Sequence, residues 1–168
     1  MWYVVQVRTG MEERIKNQCI RVIDEGILEK CFIPHYEEKK KYQGTWHTES
    51  KVLFPGYVFM VSNHIKDLYY CIQKVIGMTK LIGTGEEIVP LQEDEIELLR
   101  KMGVDEKALK MSNGIIENGT IMITEGPLAG MEGCIRKIDR HKRKAWLEIC
   151  MFGKTVKMEA GLEIMERI

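Results

Sequence analysis

The feature that most constrains the fold is the run Glu125-Gly126-Pro127-Leu128-Ala129-Gly130-Met131-Glu132-Gly133. Three glycines and a proline in so short a span break both helix and strand, and they supply the backbone angles of tight turns. Short apolar runs stand on either side. Ile121 and Ile123 share one face, Ile135 and Ile138 follow the run, and Leu147, Ile149 and Met151 alternate with Trp146 and Glu148. Past a basic turn, Phe152-Gly153-Lys154-Thr155-Val156 leads into Met158, which repeats the alternation. Period-two patterning between closely spaced turns implies a small, strongly bent β-barrel over residues 119–168. A unit of this size lies near the lower limit for independent stability.

The rest of the chain reads differently. Residues 2–8 are β-branched and aromatic and suit a strand that Gly10 ends. Met11, Ile15, Cys19, Val22 and Ile23 recur at helical spacing, so a helix is expected over 11–24, closed by Gly26. Cys31-Phe32-Ile33-Pro34 suits a short strand, and the polar residues 36–51, with Lys39-Lys40-Lys41 and a turn signal at Gln43-Gly44, a protruding hairpin or loop. Lys51 to Val61 reads as a strand interrupted at Pro55-Gly56. Ile65, Leu68, Tyr69, Ile72 and Val75 mark a second helix, Leu81-Ile82 a short strand, and Ile88-Val89-Pro90 the approach to a third helix over 92–102. One sheet with helices against it makes an α+β domain over residues 1–102. Residues 103–118, with Gly103, Ser112-Asn113-Gly114 and Asn118-Gly119, read as a linker.

Lysine plus arginine and aspartate plus glutamate each number 25, so net charge is zero and any polyanion must be met by a local patch. The five cysteines form no C-x-x-C pair, and Cys19 sits on an apolar helix stripe as a small hydrophobe. The histidines at 35, 47, 64 and 141 lack ligand spacing, so no metal is expected. No catalytic fingerprint or phosphate-binding glycine loop is present; the expectation is a protein that is not an enzyme and needs no cofactor. Glu93-Asp94-Glu95 and Glu97 read as the acidic first turn of a helix. The chain opens on Met1-Trp2-Tyr3 without the pattern of a secretion signal, and no apolar stretch suits a membrane span; a cytoplasmic location is expected.

Two signatures carry a family resemblance. The glycine-rich run with its flanking strands resembles the KOW motif. Leu53-Phe54-Pro55-Gly56-Tyr57-Val58-Phe59, behind Trp2-Tyr3-Val4-Val5-Gln6, resembles the NGN domain of NusG-type transcription elongation factors. The resemblance implies an antiparallel NGN sheet flanked by helices, followed by an SH3-like KOW β-barrel. It further implies docking on the β′ clamp helices of RNA polymerase through Phe54, Tyr57 and Phe59, with Leu81 and Ile96 at the rim. Read without the family, an aromatic strand is core; alternation puts Tyr57 and Phe59 on one face and Val58 on the other. Arg8, Arg14, Gln18 and Arg21 match positions that contact non-template DNA in sequence-reading paralogs, against the alternative of a solvated helix face. Phe152 and Lys154 match the KOW position through which such factors bind ribosomal protein S10 or the terminator Rho.

The segment from Arg136 to Trp146 departs from the housekeeping pattern. Arg136, Lys137, Arg140, Lys142, Arg143 and Lys144, with His141, share one strand–turn–strand with a single acid, Asp139. Like charges crowded in one turn repel, which points to a nucleic-acid contact against the alternative of plain surface, and Trp146 adds a ring on which a base can stack, against the alternative of a place in the barrel core. The pattern resembles LoaP-type NusG paralogs, which act as processive antiterminators and engage nascent RNA. The expected function is thus a monomeric elongation and antitermination factor whose KOW domain binds structured RNA. The alternatives are a housekeeping NusG coupling polymerase to ribosome or Rho, and a ribosome-associated KOW protein.

Overall fold

A computed structural model describes residues 1–75, 78–81, 90–105 and 107–168, with only the backbone of 78–81. The expected positions of Ile82, Ile88 and Val89 lie outside the described residues. The chain folds into two compact units: residues 1–34 with 54–97, and residues 35–53 with 98–168.

The first unit is built on β1 (Trp2–Val7), β2 (Lys30–Phe32), β5 (Tyr57–Val61) and β6 (Met78–Leu81), in the order β2-β5-β1-β6. All of its pairs are antiparallel. Helix α1 (Glu12–Val22) packs on β2 and β5, and α2 (Ile65–Ile72) follows β5. Alternation fails on the inner strands: Val58, Phe59 and Met60 are all at 0% exposure, and Val4 and Val5 at 2% and 0%. Both faces of β1 and β5 are covered, so these strands are apolar throughout. The rings of Trp2, Phe32, Phe59 and Phe54 pack in series, the first pair edge-to-face and the others tilted, with centroids 5.3, 5.4 and 5.8 Å apart. On α1 the expected stripe holds at Ile15 and Cys19, but Val22 is 58% exposed. The helix ends at Val22 and Ile23 turns extended, with φ −93° and ψ 131°, so Ile23 takes the buried place instead. A third helix, α3 (Glu93–Met102), opens with Glu93, Asp94 and Glu95 in its first turn and carries Arg100 and Lys101 in its last, in accord with its dipole.

The second unit contains the hairpin β3 (His35–Tyr42) and β4 (Thr45–Val52) and a five-stranded sheet. The sheet comprises β7 (Ser112–Glu117), β8 (Thr120–Glu125), β9 (Ile135–Asp139), β10 (Lys144–Met151) and β11 (Lys154–Arg167), in the order β8-β7-β11-β10-β9. Strand β11 bends the sheet into a small barrel. Its first half pairs antiparallel with β10; from Leu162 onward it pairs parallel with β7. The core holds the alternating set foreseen from the sequence, Leu147, Ile149, Met151 and Met158, with Leu128 and Met131.

Two-residue turns close three of the hairpins, and both central residues have positive φ in each: Gln43-Gly44 at 52° and 75°, Asn118-Gly119 at 51° and 79°, Phe152-Gly153 at 58° and 71°. That geometry matches the right-handed twist of the strands it joins. The glycine-rich run wraps Ser112 of β7, whose buried Oγ accepts a hydrogen bond from the Leu128 amide at 3.1 Å. Glu132 Oε1 accepts from the amides of Ile123 (3.3 Å) and Gly130 (3.4 Å), tying β8 to the run; its own backbone amide first, and then these two, hold its carboxyl below the ordinary range.

The expected linker needs correction. Residues 112–117 are strand β7, and Leu109 forms a parallel bridge with Tyr36 of β3. The Leu109 amide donates to the His35 carbonyl at 2.7 Å, and the Glu37 amide to the Leu109 carbonyl at 2.8 Å. The glycines that suggested a linker have structural duties here, while Ile115 and Ile116 carry the strand pairing. The hairpin, expected with residues 1–102, belongs to the second unit for the same reason.

Gly126 has φ +108°, and a Cβ there would stand 2.6 Å from Ser112 Cα. Gly126→Ala is expected to cost on the order of 1–3 kcal/mol, read as a lower urea midpoint at unchanged slope.

Candidate nucleic-acid interface

The basic segment lies on β9, β10 and the four-residue turn between them. Asp139 pairs with Lys144 across the turn, and Asp139 Oδ1 accepts the Lys142 amide at 3.0 Å. Arg143 has φ +53°. The cations separate into two sets. Lys144 is buried, with its Nζ 3.3 Å from Glu38 Oε2 and 3.5 Å from Glu159 Oε2. The Arg143 guanidinium lies 3.8 Å from the Trp46 ring centroid and 3.5 Å from Glu163. Arg136 donates to the Gly133 carbonyl at 2.7 Å and stands 3.5 Å from Glu148, and Lys137 Nζ lies 4.9 Å from the Trp146 ring centroid. Arg140, His141 and Lys142 are exposed at the tip.

The expectation that all seven residues face a nucleic acid is therefore corrected for Lys144 and narrowed for Arg143. Their charges meet carboxylates that lie distant in sequence, on β3 and β11. Trp146 is only partly exposed, and its Nε1 donates to Glu159 Oε1 at 2.9 Å, which holds the ring in place.

Glu38, on β3, is the hub. Its Oε2 stands 3.5 Å from Lys51 Nζ and accepts from the Tyr36 hydroxyl at 3.1 Å; the same hydroxyl lies 2.8 Å from Glu159 Oε2. Burial alone would raise the Glu38 carboxyl. Lys144, the Tyr36 hydroxyl and Lys51 together outweigh it and hold the group below its ordinary value. Glu159 follows the same balance: burial raises it, and Tyr36, Lys144 and Trp146 bring it down. Burial and the two carboxylates push the Tyr36 phenol well up. Gly161 of β11 completes the contact: a Cβ there would stand 2.6 Å from the Glu37 carbonyl oxygen and would also collide with the Met111 sulfur. Sequence reading missed Tyr36, Glu38, Glu159 and Gly161. The one available signal was a glycine inside an apolar strand, which marks a close approach of another backbone.

The remaining expected sites lie elsewhere. Phe54 and Phe59 are at 1% and 0% exposure and Ile96 at 6%; they are core, and do not form an open depression. For Phe59 the reason is that both faces of β5 are covered. Tyr57, opposite Gln6, is half-buried, and Leu81 pairs with Val5 in β6. Arg8, Arg14 and Arg21 are exposed, whereas Gln18 is half-buried with an Oε1 that meets no hydrogen-bond partner among the described residues. Phe152 sits half-buried in its turn beside exposed Lys154.

Among the described residues no group of three His, Cys, Asp or Glu is placed to hold a metal, and no helix is long and apolar enough to cross a membrane. Cys19 and Cys31 are buried free thiols whose pKa burial pushes up to about 11 and about 12.

The family described as "Transcription termination factor nusG" matches residues 1–100. The chain belongs to the NusG family. The transcription termination/antitermination protein NusG of Bacillus subtilis is 32% identical over 175 residues, covering 99% of this chain and 98% of that one. Its counterpart in Halalkalibacterium halodurans is 30% identical over 176 residues with the same coverage. A solved structure titled "Domain interaction in Thermotoga maritima NusG" is similar over 95% of this chain and 92% of that one, with a TM-score of 0.63 at 22% identity, which supports the shared fold. The chain thus has the α+β architecture of the NusG family, an NGN-type sheet followed by a KOW-type barrel.

Because the folded Glu38 and Glu159 carboxyls lie below their ordinary 4.5, their contribution to stability is complete above that value and is lost as pH falls through the folded value. Amide protection in β3 and β4, followed by hydrogen exchange, should be constant near neutrality and decline below about pH 4.5 ahead of the rest of the barrel. Glu38→Gln should reduce that pH dependence to the share carried by Glu159 and cost on the order of 1–3 kcal/mol, because it leaves the buried Lys144 ammonium with the Glu159 carboxylate alone.

Proposed function

We propose that this NusG-family chain is a non-enzymatic, cytoplasmic transcription elongation factor of the specialised LoaP type. Its first unit, residues 1–34 with 54–97, holds RNA polymerase, and the KOW barrel of its second unit reads nascent RNA to promote processive elongation and antitermination. The observation that carries the RNA reading is the exposed triplet Arg140-His141-Lys142, at the tip of a turn whose inner cations are already neutralised. These exposed cations, of which His141 and Lys142 also face the Asp139 carboxylate, remain available to phosphates. Relatives at 32% and 30% identity named as termination/antitermination proteins support the transcriptional role.

Docking on the β′ clamp helices rests on Tyr57, the one half-buried aromatic of the motif. Arg8, Arg14 and Arg21 supply charge suited to non-template DNA. Tethering the two contacts on one chain raises the effective concentration of the second.

The full-length similarity to housekeeping factors favours a second reading, in which Phe152 and Lys154 bind ribosomal protein S10 or Rho.

Tyr57→Ala is expected to weaken binding to a clamp-helix fragment by on the order of 2 kcal/mol with folding retained. Phe54→Ala would lower stability instead, because that ring is core. In a titration with leader RNA from its own operon, Arg140→Ala/Lys142→Ala should weaken binding and reduce the salt dependence. Equal binding by wild type and variant, together with capture of S10 or Rho, decides for the second reading.

A further inference from the structure

The basic turn faces a second basic element. Between the turn and the β3–β4 hairpin lies an open cleft with a volume of about 400 Å³. Lys39, Lys40, Lys41 and Trp46 line it from the hairpin, and His141 and Lys142 from the turn. The acid on its wall, Glu38, is engaged by Lys51 and Lys144. Lys40 and Lys41 are exposed and have no ion-pair partner among the described residues. The cleft therefore presents a net positive lining in a chain whose total charge is zero.

We propose that the cleft is one two-walled binding site for the phosphate backbone of a nucleic-acid double helix. Given the function proposed above, on which this inference rests, that helix is an RNA stem. Three observations select a backbone ligand. The lining is cationic on both sides, and the log of affinity then follows the number of phosphates neutralised. Trp46 already carries the Arg143 guanidinium at 3.8 Å, so the cations, rather than an open ring for stacking bases, set what the cleft accepts. The walls are held at a set separation by the Glu38–Lys144–Glu159–Tyr36 network and by the close approach at Gly161, so little order is left to impose on binding.

The test uses the full chain and three probes: a blunt RNA duplex, a DNA duplex of the same sequence, and single-stranded polyuridine, each titrated over a range of salt. Lys40→Ala/Lys41→Ala should lose about tenfold in affinity for the RNA duplex and flatten the log–log salt slope by roughly one to two units. Lys40→Arg/Lys41→Arg should restore both. Urea unfolding of each variant, unchanged from wild type, confirms that the hairpin is intact. If the hairpin variant binds as wild type does while Arg140→Ala/Lys142→Ala loses binding, the two-walled site is overturned and the turn alone is the reader. If wild type binds none of the probes, both readings fall. Tighter binding of polyuridine overturns the double-helix assignment, and preference for the DNA duplex overturns RNA.

Discussion

The second unit depends on one close approach. At Gly161 the chain of β11 leaves β10 and joins β7, and at that corner the Glu37 carbonyl comes within reach of where a side chain would begin. The glycine lets β3 come near enough for the Tyr36 hydroxyl to lie within hydrogen-bond distance of Glu159, and for Lys144 to lie between Glu38 and Glu159. A buried carboxylate is costly unless it is paired and hydrogen-bonded, and the Lys144–Glu38 pair and the Tyr36–Glu159 hydrogen bond exist only while the hairpin is docked. The steric gap and the ionic network are therefore one device: the first permits the distance, and the second makes departure from it unfavourable.

The parts of the fold that were legible in the sequence are those set by local chemistry. Glycine at Gln43-Gly44 marks a turn that demands positive φ, and the Leu147, Ile149, Met151 alternation marks a half-buried strand. What failed was set by neighbours distant in sequence. Phe59 reads as one face of an alternating strand, yet β5 is interior and both faces are covered. The segment 103–118 reads as a linker because Gly114 and its polar neighbours mimic one; β11 arrives some fifty residues later to pair with 112–116. Val22 fits the helical stripe by spacing, but the helix ends there and Ile23 takes its place.

The candidate site divides in the same way. That Arg136–Lys144 is an unusual concentration of charge is plain from the sequence. Which of those charges remain available is not, because the answer lies in Glu38, Glu159 and Glu163, which the chain brings up from β3 and β11. Crowded like charges in a turn argue for an external polyanion only after the internal ones have been counted. Here the internal carboxylates account for Lys144, Arg143 and Arg136, and the repulsion argument survives for the tip and for exposed Lys137.

That division also has a mechanical consequence. Arg143 and Lys144 directly follow Lys142 in sequence, and both are anchored to the hairpin side of the unit, Lys144 through Glu38 and Arg143 over the Trp46 ring. The neutralised cations hold the turn by its base, and the Asp139 carboxylate holds the Lys142 amide within it. The exposed cations at the tip are thereby carried on a constrained turn, so less conformational entropy is lost when they meet a ligand than a flexible basic loop of the same composition would lose. The acids that reduce the number of free charges are the same groups that fix the position of those that remain.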